Sequence, residues 1–74
     1  MTVDIELFGQ LSDGNQKRRD LILERPMTVK DVALLLDLNI ELIGLISIDG
    51  VQHELEDNVP VDCRLCFFPP LTGG

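Results

Sequence analysis

One stretch of the sequence, TVKDVALLLD at residues 28–37, decides the fold. Its apolar residues recur with the period of an α-helix and form one stripe, made of Val29, Val32, Ala33 and Leu36. Thr28 suits the N-cap, because its side chain can accept a hydrogen bond from the backbone N–H three residues later. Asp31 adds negative charge at the positive end of the helix dipole. The pattern predicts a helix that begins after Thr28 and ends between Asp37 and Asn39.

Two strands are predicted before this helix. Residues 3–7 alternate apolar and acidic side chains, which is the signature of a half-buried strand. Residues 9–15 are rich in turn formers, so residues 19–24 are predicted to return as an antiparallel second strand. Pro26 ends that strand, because proline has no N–H to donate to a β-ladder.

Three strands are predicted after the helix. Residues 45–48 form the first of them, Asp49-Gly50 is a strong hairpin turn, and residues 51–53 form a short return strand. Residues 65–68 form the last strand. A helix packed on one face of a mixed sheet suits this order, with the last strand paired beside the first. The sequence therefore predicts an α+β domain over residues 1–68.

The composition excludes several classes of partner. The chain has 74 residues with 45% hydrophobic content, which is normal for one globular domain. Thirteen acidic residues against six basic ones give a net charge of −7, which argues against nucleic acid and anionic membranes as partners. The first residues lack the pattern of a signal peptide, and the longest apolar stretch, residues 42–48, is too short to span a bilayer. We therefore expect a cytoplasmic protein.

Cys63 and Cys66 form a C-x-x-C spacing, which in other sequences can indicate metal or redox chemistry. In a strand, residues three apart point to opposite faces, and at ~3.3 Å per residue their Cα atoms lie about 10 Å apart, beyond disulfide reach. His53 is the only histidine, so a zinc site would need ligands from a second chain or from acidic residues. We expect two reduced thiols and no metal site.

The sequence ends FFPPLTGG, residues 67–74. Pro69-Pro70 stops the last strand and keeps the chain stiff and extended as it leaves. Two glycines can adopt any backbone conformation and can lie in a tunnel too narrow for side chains. Residues 69–74 are therefore predicted to be a protruding tail whose carboxylate could be activated in another protein's active site, for example as an acyl-adenylate. An inert, frayed terminus on a plain binding module is the alternative.

This C-terminal run resembles that of the small, sulfur-carrying subunit of molybdopterin synthase. Residues 7–11, LFGQL, resemble that family's first-strand motif, and Thr28-Val29 matches its helix start. The family has the ubiquitin-like β-grasp fold, which agrees with the predicted order of elements. Thiamine-type sulfur carriers also end in Gly-Gly but typically lack the Phe-Phe-Pro-Pro run. A carrier for thiamine or another sulfur metabolite, and a ubiquitin-like modifier that forms isopeptide bonds through Gly74, stay open as alternatives.

The resemblance implies a carrier protein and not an enzyme. An adenylating enzyme of the ubiquitin-activating type would use ATP to activate the Gly74 carboxylate, and a persulfide donor would convert it to a thiocarboxylate. The large synthase subunit would then receive the sulfur for the molybdenum or tungsten cofactor. The chain itself would bind no cofactor and no metal. Gly73 and Gly74 would form the reacting end, and the partner contacts would come from Phe8, Phe68, Pro69, Pro70, Leu71 and Thr72.

Alternation along the last strand predicts that Phe67 and Phe68 point to opposite faces, one in the core and one partly exposed. The resemblance implies that Phe68 is the exposed one. Three features depart from the family pattern. Ser12 stands where arginine is frequent, Val61-Asp62-Cys63 stands where an Asp-Gly-Asp turn is common, and Cys66 stands where a small apolar residue is usual.

Overall fold

The sheet has five strands, and the first and last strands in sequence are neighbours within it. The computed structural model describes residues 2–14 and 16–70. In chain order, the strands are β1 Thr2–Leu7, β2 Arg18–Ile22, β3 Leu45–Ile48, β4 Val51–His53 and β5 Arg64–Phe68. Their order across the sheet is β2-β1-β5-β3-β4, in which β1 and β5 are parallel and the other neighbours are antiparallel. The predicted pairing of the last strand beside the first is confirmed.

The helix, α1, comprises Val29–Leu35 and begins as predicted. Thr28 and Asp31 form a capping box, in which each side chain accepts from the other residue's backbone N–H at 3.2 Å. The N–H groups of Val29 and Lys30 have no acceptor within the helix. They donate to the carbonyls of Asp57 and Leu55, respectively, in the loop before β5. The start of the helix is therefore bonded both to its own cap and to a distant loop.

The helix ends at Leu35, earlier than the range Asp37 to Asn39 that the sequence predicts. Asp37 adopts a left-handed conformation, with φ of 62°. Its N–H donates to Leu34, and the N–H of Leu38 donates to Ala33, which together form a Schellman motif. This motif ends the helix and directs Leu38 into the core. The helix therefore ends at least two residues before the predicted position.

The core lies between α1 and one face of the sheet. Every residue of the predicted helical stripe is buried. The sheet contributes side chains that alternate along each strand, and these include Val3, Ile5, Leu7, Ile46, Ile48, Leu65 and Phe67. Within residues 2–14 and 16–70, no helix has the length and apolar character needed to cross a membrane. The second face of the sheet carries the candidate site.

Candidate docking surface at the end of the sheet

Phe8 and Phe68 stack on each other at the edge where β1 and β5 end. The two strands are parallel, and their register pairs Leu7 with Phe67. The carboxyl ends of parallel neighbours meet at one edge, so the next residues, Phe8 and Phe68, stand side by side. Their ring centroids are 4.4 Å apart and their planes differ by 9°. This geometry is a stacked aromatic pair, which stabilises beyond the area that it buries.

Phe67 and Phe68 face opposite sides of the sheet, as the alternation predicts. Phe67 is fully buried against the core, whereas Phe68 is half-buried on the outer face, as is Phe8. The backbone N–H of Phe8 donates to the carbonyl of Phe67 at 3.1 Å, which fixes the two strand ends together. The prediction that one phenylalanine is core and the other partly exposed is therefore confirmed.

Leu45 extends this surface on the other side of β5. It pairs with Phe68 in the antiparallel register of β3 and β5, and its side chain is 40% exposed. Leu45, Phe68, Pro69 and Pro70 line a shallow apolar groove of about 490 Å³ together with Gly44. We call Phe8, Leu45 and Phe68 the aromatic patch.

Pro69 and Pro70 lie against two glycines from distant parts of the chain. A Cβ on Gly9 would stand 2.8 Å from Cγ of Pro69, and one on Gly44 would stand 2.6 Å from the nitrogen of Pro70 and 2.8 Å from the carbonyl oxygen of Pro69. The N–H of Gly44 donates to the carbonyl of Phe68 at 2.7 Å. We call Gly9 and Gly44 the glycine notch. It holds the first two residues of the segment that the sequence predicts as a tail.

The remaining predicted site residues, Leu71, Thr72, Gly73 and Gly74, lie outside the described residues. The division into a domain at residues 1–68 and a tail at 69–74 therefore stays a prediction. Of the predicted site, the fold brings together Phe8, Phe68, Pro69 and Pro70.

The sequence predicted neither Gly44 nor Leu45 as part of this site, and it pointed to Gly9 only as a member of the motif at residues 7–11. Each of them reaches it through strand register or backbone packing over more than twenty residues. The pair of prolines was a local signal. Where two prolines pass close to another backbone, the neighbouring residue must have no side chain.

Cys63 and Cys66 are free thiols, and both are buried. Cys66 lies between Leu65 and Phe67 on β5 and therefore faces the outer side of the sheet. Burial raises the pKa of the Cys63 thiol, and the negative charge of Asp49 raises it further. A raised pKa disfavours the nucleophilic thiolate. Over residues 2–14 and 16–70, no group of three or more histidine, cysteine or acidic side chains is arranged to hold a metal ion.

Charge is divided unevenly across the sheet. Residues 31–63, which include β3 and β4, contain eight acidic side chains and neither lysine nor arginine. On the other side, Asp4 on β1 is bonded to both Arg18 of β2 and Arg64 of β5, with 3.3 Å between the side-chain atoms in each case. Acidic residues are therefore concentrated in the middle of the chain, whereas the two arginines that bond Asp4 lie on β2 and β5.

Within this acidic region, Asp57 has a defined local structure. Its carboxylate accepts from the backbone N–H of Glu54 at 2.8 Å and lies 3.1 Å from Nδ1 of His53. The bond from Glu54, followed by the interaction with His53, lowers the pKa of Asp57 below its ordinary value of 3.8.

Comparison with known proteins places the fold. No protein-family model matches the chain, and no curated protein matches it. Several solved structures do match over nearly the whole chain. SAMP1 from Haloferax volcanii is 17% identical, with a TM-score of 0.71 and full coverage of both chains. A protein assigned as subunit 1 of molybdopterin converting factor from Pyrococcus furiosus is 15% identical, with a TM-score of 0.75 over 96% of this chain and 99% of that one.

A third similar structure is a complex of subunits 1 and 2 of molybdopterin-converting factor from Helicobacter pylori 26695. It is 16% identical, with a TM-score of 0.64 and full coverage of both chains. The chain has the ubiquitin-like β-grasp fold that these neighbours share, so the predicted fold class is confirmed. The structural neighbours include the kind of protein that the sequence resembles.

Proposed function

We propose that this β-grasp chain is a sulfur carrier for molybdopterin biosynthesis, loaded as a thiocarboxylate on Gly74. One observation carries the proposal: the stacked pair Phe8 and Phe68 lies directly beside the point where the chain passes through Pro70 to residues 71–74. A partner that docks on these rings is therefore placed to receive the segment that follows them. A plain binding module needs no such coupling between its docking face and its C-terminal segment.

The chemistry takes place in the partners. The Gly74 carboxylate attacks the α-phosphate of ATP bound by an adenylating enzyme, and pyrophosphate leaves. The terminal sulfur of a persulfide donor then displaces AMP, and cleavage of its S–S bond by a thiol leaves the thiocarboxylate. This chain supplies no acid, base, metal or cofactor to these steps. Its contribution is a docking face and an acyl group on a residue without a side chain, which a narrow active-site tunnel can admit.

The structural neighbours support this proposal in two ways. One is assigned as subunit 1 of molybdopterin converting factor, and another is a complex of that protein's subunits 1 and 2. A complex of this kind fits a large synthase subunit as the recipient of this carrier. The net charge of −7 favours a partner whose apolar socket is flanked by basic side chains.

The first test is the intact mass of the protein after incubation with ATP, the adenylating enzyme of the same genome and a persulfide donor. We expect a gain equal to the replacement of one oxygen by one sulfur, located on Gly74 by fragmentation. A variant with Cys63 and Cys66 both changed to alanine should show the same gain, because the sulfur is added to Gly74 and not to a thiol. A persulfide on a cysteine would instead add the mass of one sulfur without loss of oxygen. A chain with residues added after Gly74 is the negative control.

Two results contradict the proposal. One is no gain under conditions in which the same enzyme and donor load another carrier. The other is a native protein, isolated from its own host, whose chain continues beyond Gly74. If loading succeeds, transfer of sulfur to the large synthase subunit, compared with transfer to a thiazole-forming enzyme, decides between the molybdopterin and thiamine pathways.

The second candidate function is a protein modifier, and one observation favours it. Two of the similar structures are SAMP1 and small archaeal modifier protein 1 of Haloferax volcanii. A modifier would join Gly74 to lysine side chains of other proteins. Because Arg64 is the last basic residue, trypsin would leave residues 65–74 on each modified lysine. Detection of that branched peptide in cell extracts would establish conjugation. If the peptide is absent while the thiocarboxylated chain is present, only the carrier function is supported.

A further inference from the structure

Pro69 and Pro70 leave the sheet through the glycine notch, between the end of β1 and the start of β3. We propose that Gly9 and Gly44 are positioning residues that set the direction in which residues 71–74 leave the domain. This inference rests on the proposed function, since the direction matters only if the segment must reach a reacting centre.

The two glycines act on different atoms of the proline pair. A side chain at Gly44 would meet the backbone of Pro69 and Pro70, including Cα of Pro70, so it could be accommodated only by moving the chain itself. Gly44 does not have a left-handed φ, and the requirement for glycine there is therefore steric. A side chain at Gly9 would instead meet the ring of Pro69, with Cγ at 2.8 Å and Cδ at 3.4 Å.

A shift at this point is carried outward, because proline fixes its own φ and restricts the residue before it. The aromatic patch docks the domain, so the exit direction from Pro70 decides where the Gly74 carboxylate lies relative to bound ATP. A misplacement of about 1 Å at a reacting centre can lower the rate about a hundredfold. Docking itself depends on side chains that the notch does not displace, with Phe8 and Phe68 foremost among them.

The test compares Gly44→Ala with the unchanged protein in steady-state adenylation by the activating enzyme. We expect kcat to fall about a hundredfold, while KM and the dissociation constant for that enzyme stay within about twofold. The matched control is Gly14→Ala, where a Cβ would meet nothing within 4 Å, although φ is +74°. This control should load at the rate of the unchanged protein. A merely structural role of Gly44 would lower the folded fraction and leave kcat per folded molecule unaltered.

A second pair of variants keeps the inference testable if Gly44→Ala does not fold. Gly9→Ala should lower kcat more in the chain with Pro69 than in a chain that already carries Pro69→Ala, because loss of the ring removes the 2.8 Å contact. The strain of alanine at the left-handed φ of Gly9, +58°, is the same in both backgrounds and cancels in the comparison. Unchanged kcat in Gly44→Ala, or an equal effect of Gly9→Ala in both backgrounds, overturns the inference.

Failure of the proposed function gives a different result, since the unchanged protein would then not be adenylated at all. The exit direction can still be measured in that case, from residual dipolar couplings of the backbone amides of Leu71 and Thr72. These couplings should change in Gly44→Ala and stay constant in Gly14→Ala. Equal couplings in all three proteins would mean that the notch does not direct the chain.

Discussion

Replacing Phe68 by alanine should weaken partner binding while the domain stays folded. The ring is partly buried, and a partner can cover the part that is still exposed, which is at most about a third. Burying a whole phenylalanine side chain is worth about 1.5–3 kcal/mol, and covering up to a third of it therefore contributes up to about 1 kcal/mol. The dissociation constant should rise about fivefold, which corresponds to about 1 kcal/mol.

The cost to the fold can be placed on the same scale. The buried part of the Phe68 side chain and its stack on Phe8 together contribute about 2 kcal/mol to the free energy of unfolding. A domain of this length has about 4–11 kcal/mol in total, so the Phe68→Ala variant should stay folded. Phe67→Ala removes a fully buried ring and should cost about 3–5 kcal/mol. That loss approaches the whole stability of the domain.

The assay is calorimetric titration of the adenylating enzyme with each variant, corrected for the folded fraction measured by urea unfolding. Val51→Ala is the control for loss of exposed apolar surface, because Val51 is 61% exposed on the edge strand β4, two strands away from β5. The reasoning is refuted if Phe68→Ala binds within about twofold of the unchanged protein. It is also refuted if Val51→Ala weakens binding equally.

Three further predictions concern stability and the thiols. Thr28→Ala should lower the free energy of unfolding by about 1 kcal/mol and the melting temperature by about 4–8 °C, as scanning calorimetry can measure; an unchanged melting temperature would mean that the capping box contributes nothing. Because the pKa of Asp57 is lower in the folded chain, its stabilisation is present above the ordinary value of 3.8 and is lost as pH falls through the folded value. Urea unfolding should therefore show Asp57→Asn less stable than the unchanged protein at pH 7 but equally stable in strong acid, and a difference independent of pH would contradict this. Replacing Cys63 and Cys66 together by alanine should leave the rate of sulfur loading per folded molecule unchanged, and loss of loading would show that a thiol takes part.

Local sequence signals predicted most of the elements. The helix stripe, the Thr28 cap and the hairpin at Asp49-Gly50 each depend on residues within one or two turns of each other, and each is present. The helix end was wrong because Asp37 takes a left-handed conformation that glycine usually occupies. No apolar period reveals such a residue.

The site could be predicted only where its residues are neighbours in sequence. The alternation of Phe67 and Phe68 follows from the strand period. The stack on Phe8 depends on the parallel register of two strands that are more than fifty residues apart. The fit of Gly44 against Pro70 depends on the packing of two backbones. Neither property is encoded by a pattern within one segment, so both needed the three-dimensional structure.

The position of β5 in the middle of the sheet has a consequence for how the protein is made. β5 is synthesised more than fifty residues after its neighbour β1, and until β5 has left the ribosome the sheet lacks the middle one of its five strands. Such long-range pairing delays folding until β5 has been made. A chain that stops before residue 64 therefore lacks both the strand that closes the sheet and half of the ring pair by which a partner would hold it. Folding and the proposed docking face therefore depend on the same segment, and only molecules translated through Phe68 can form both.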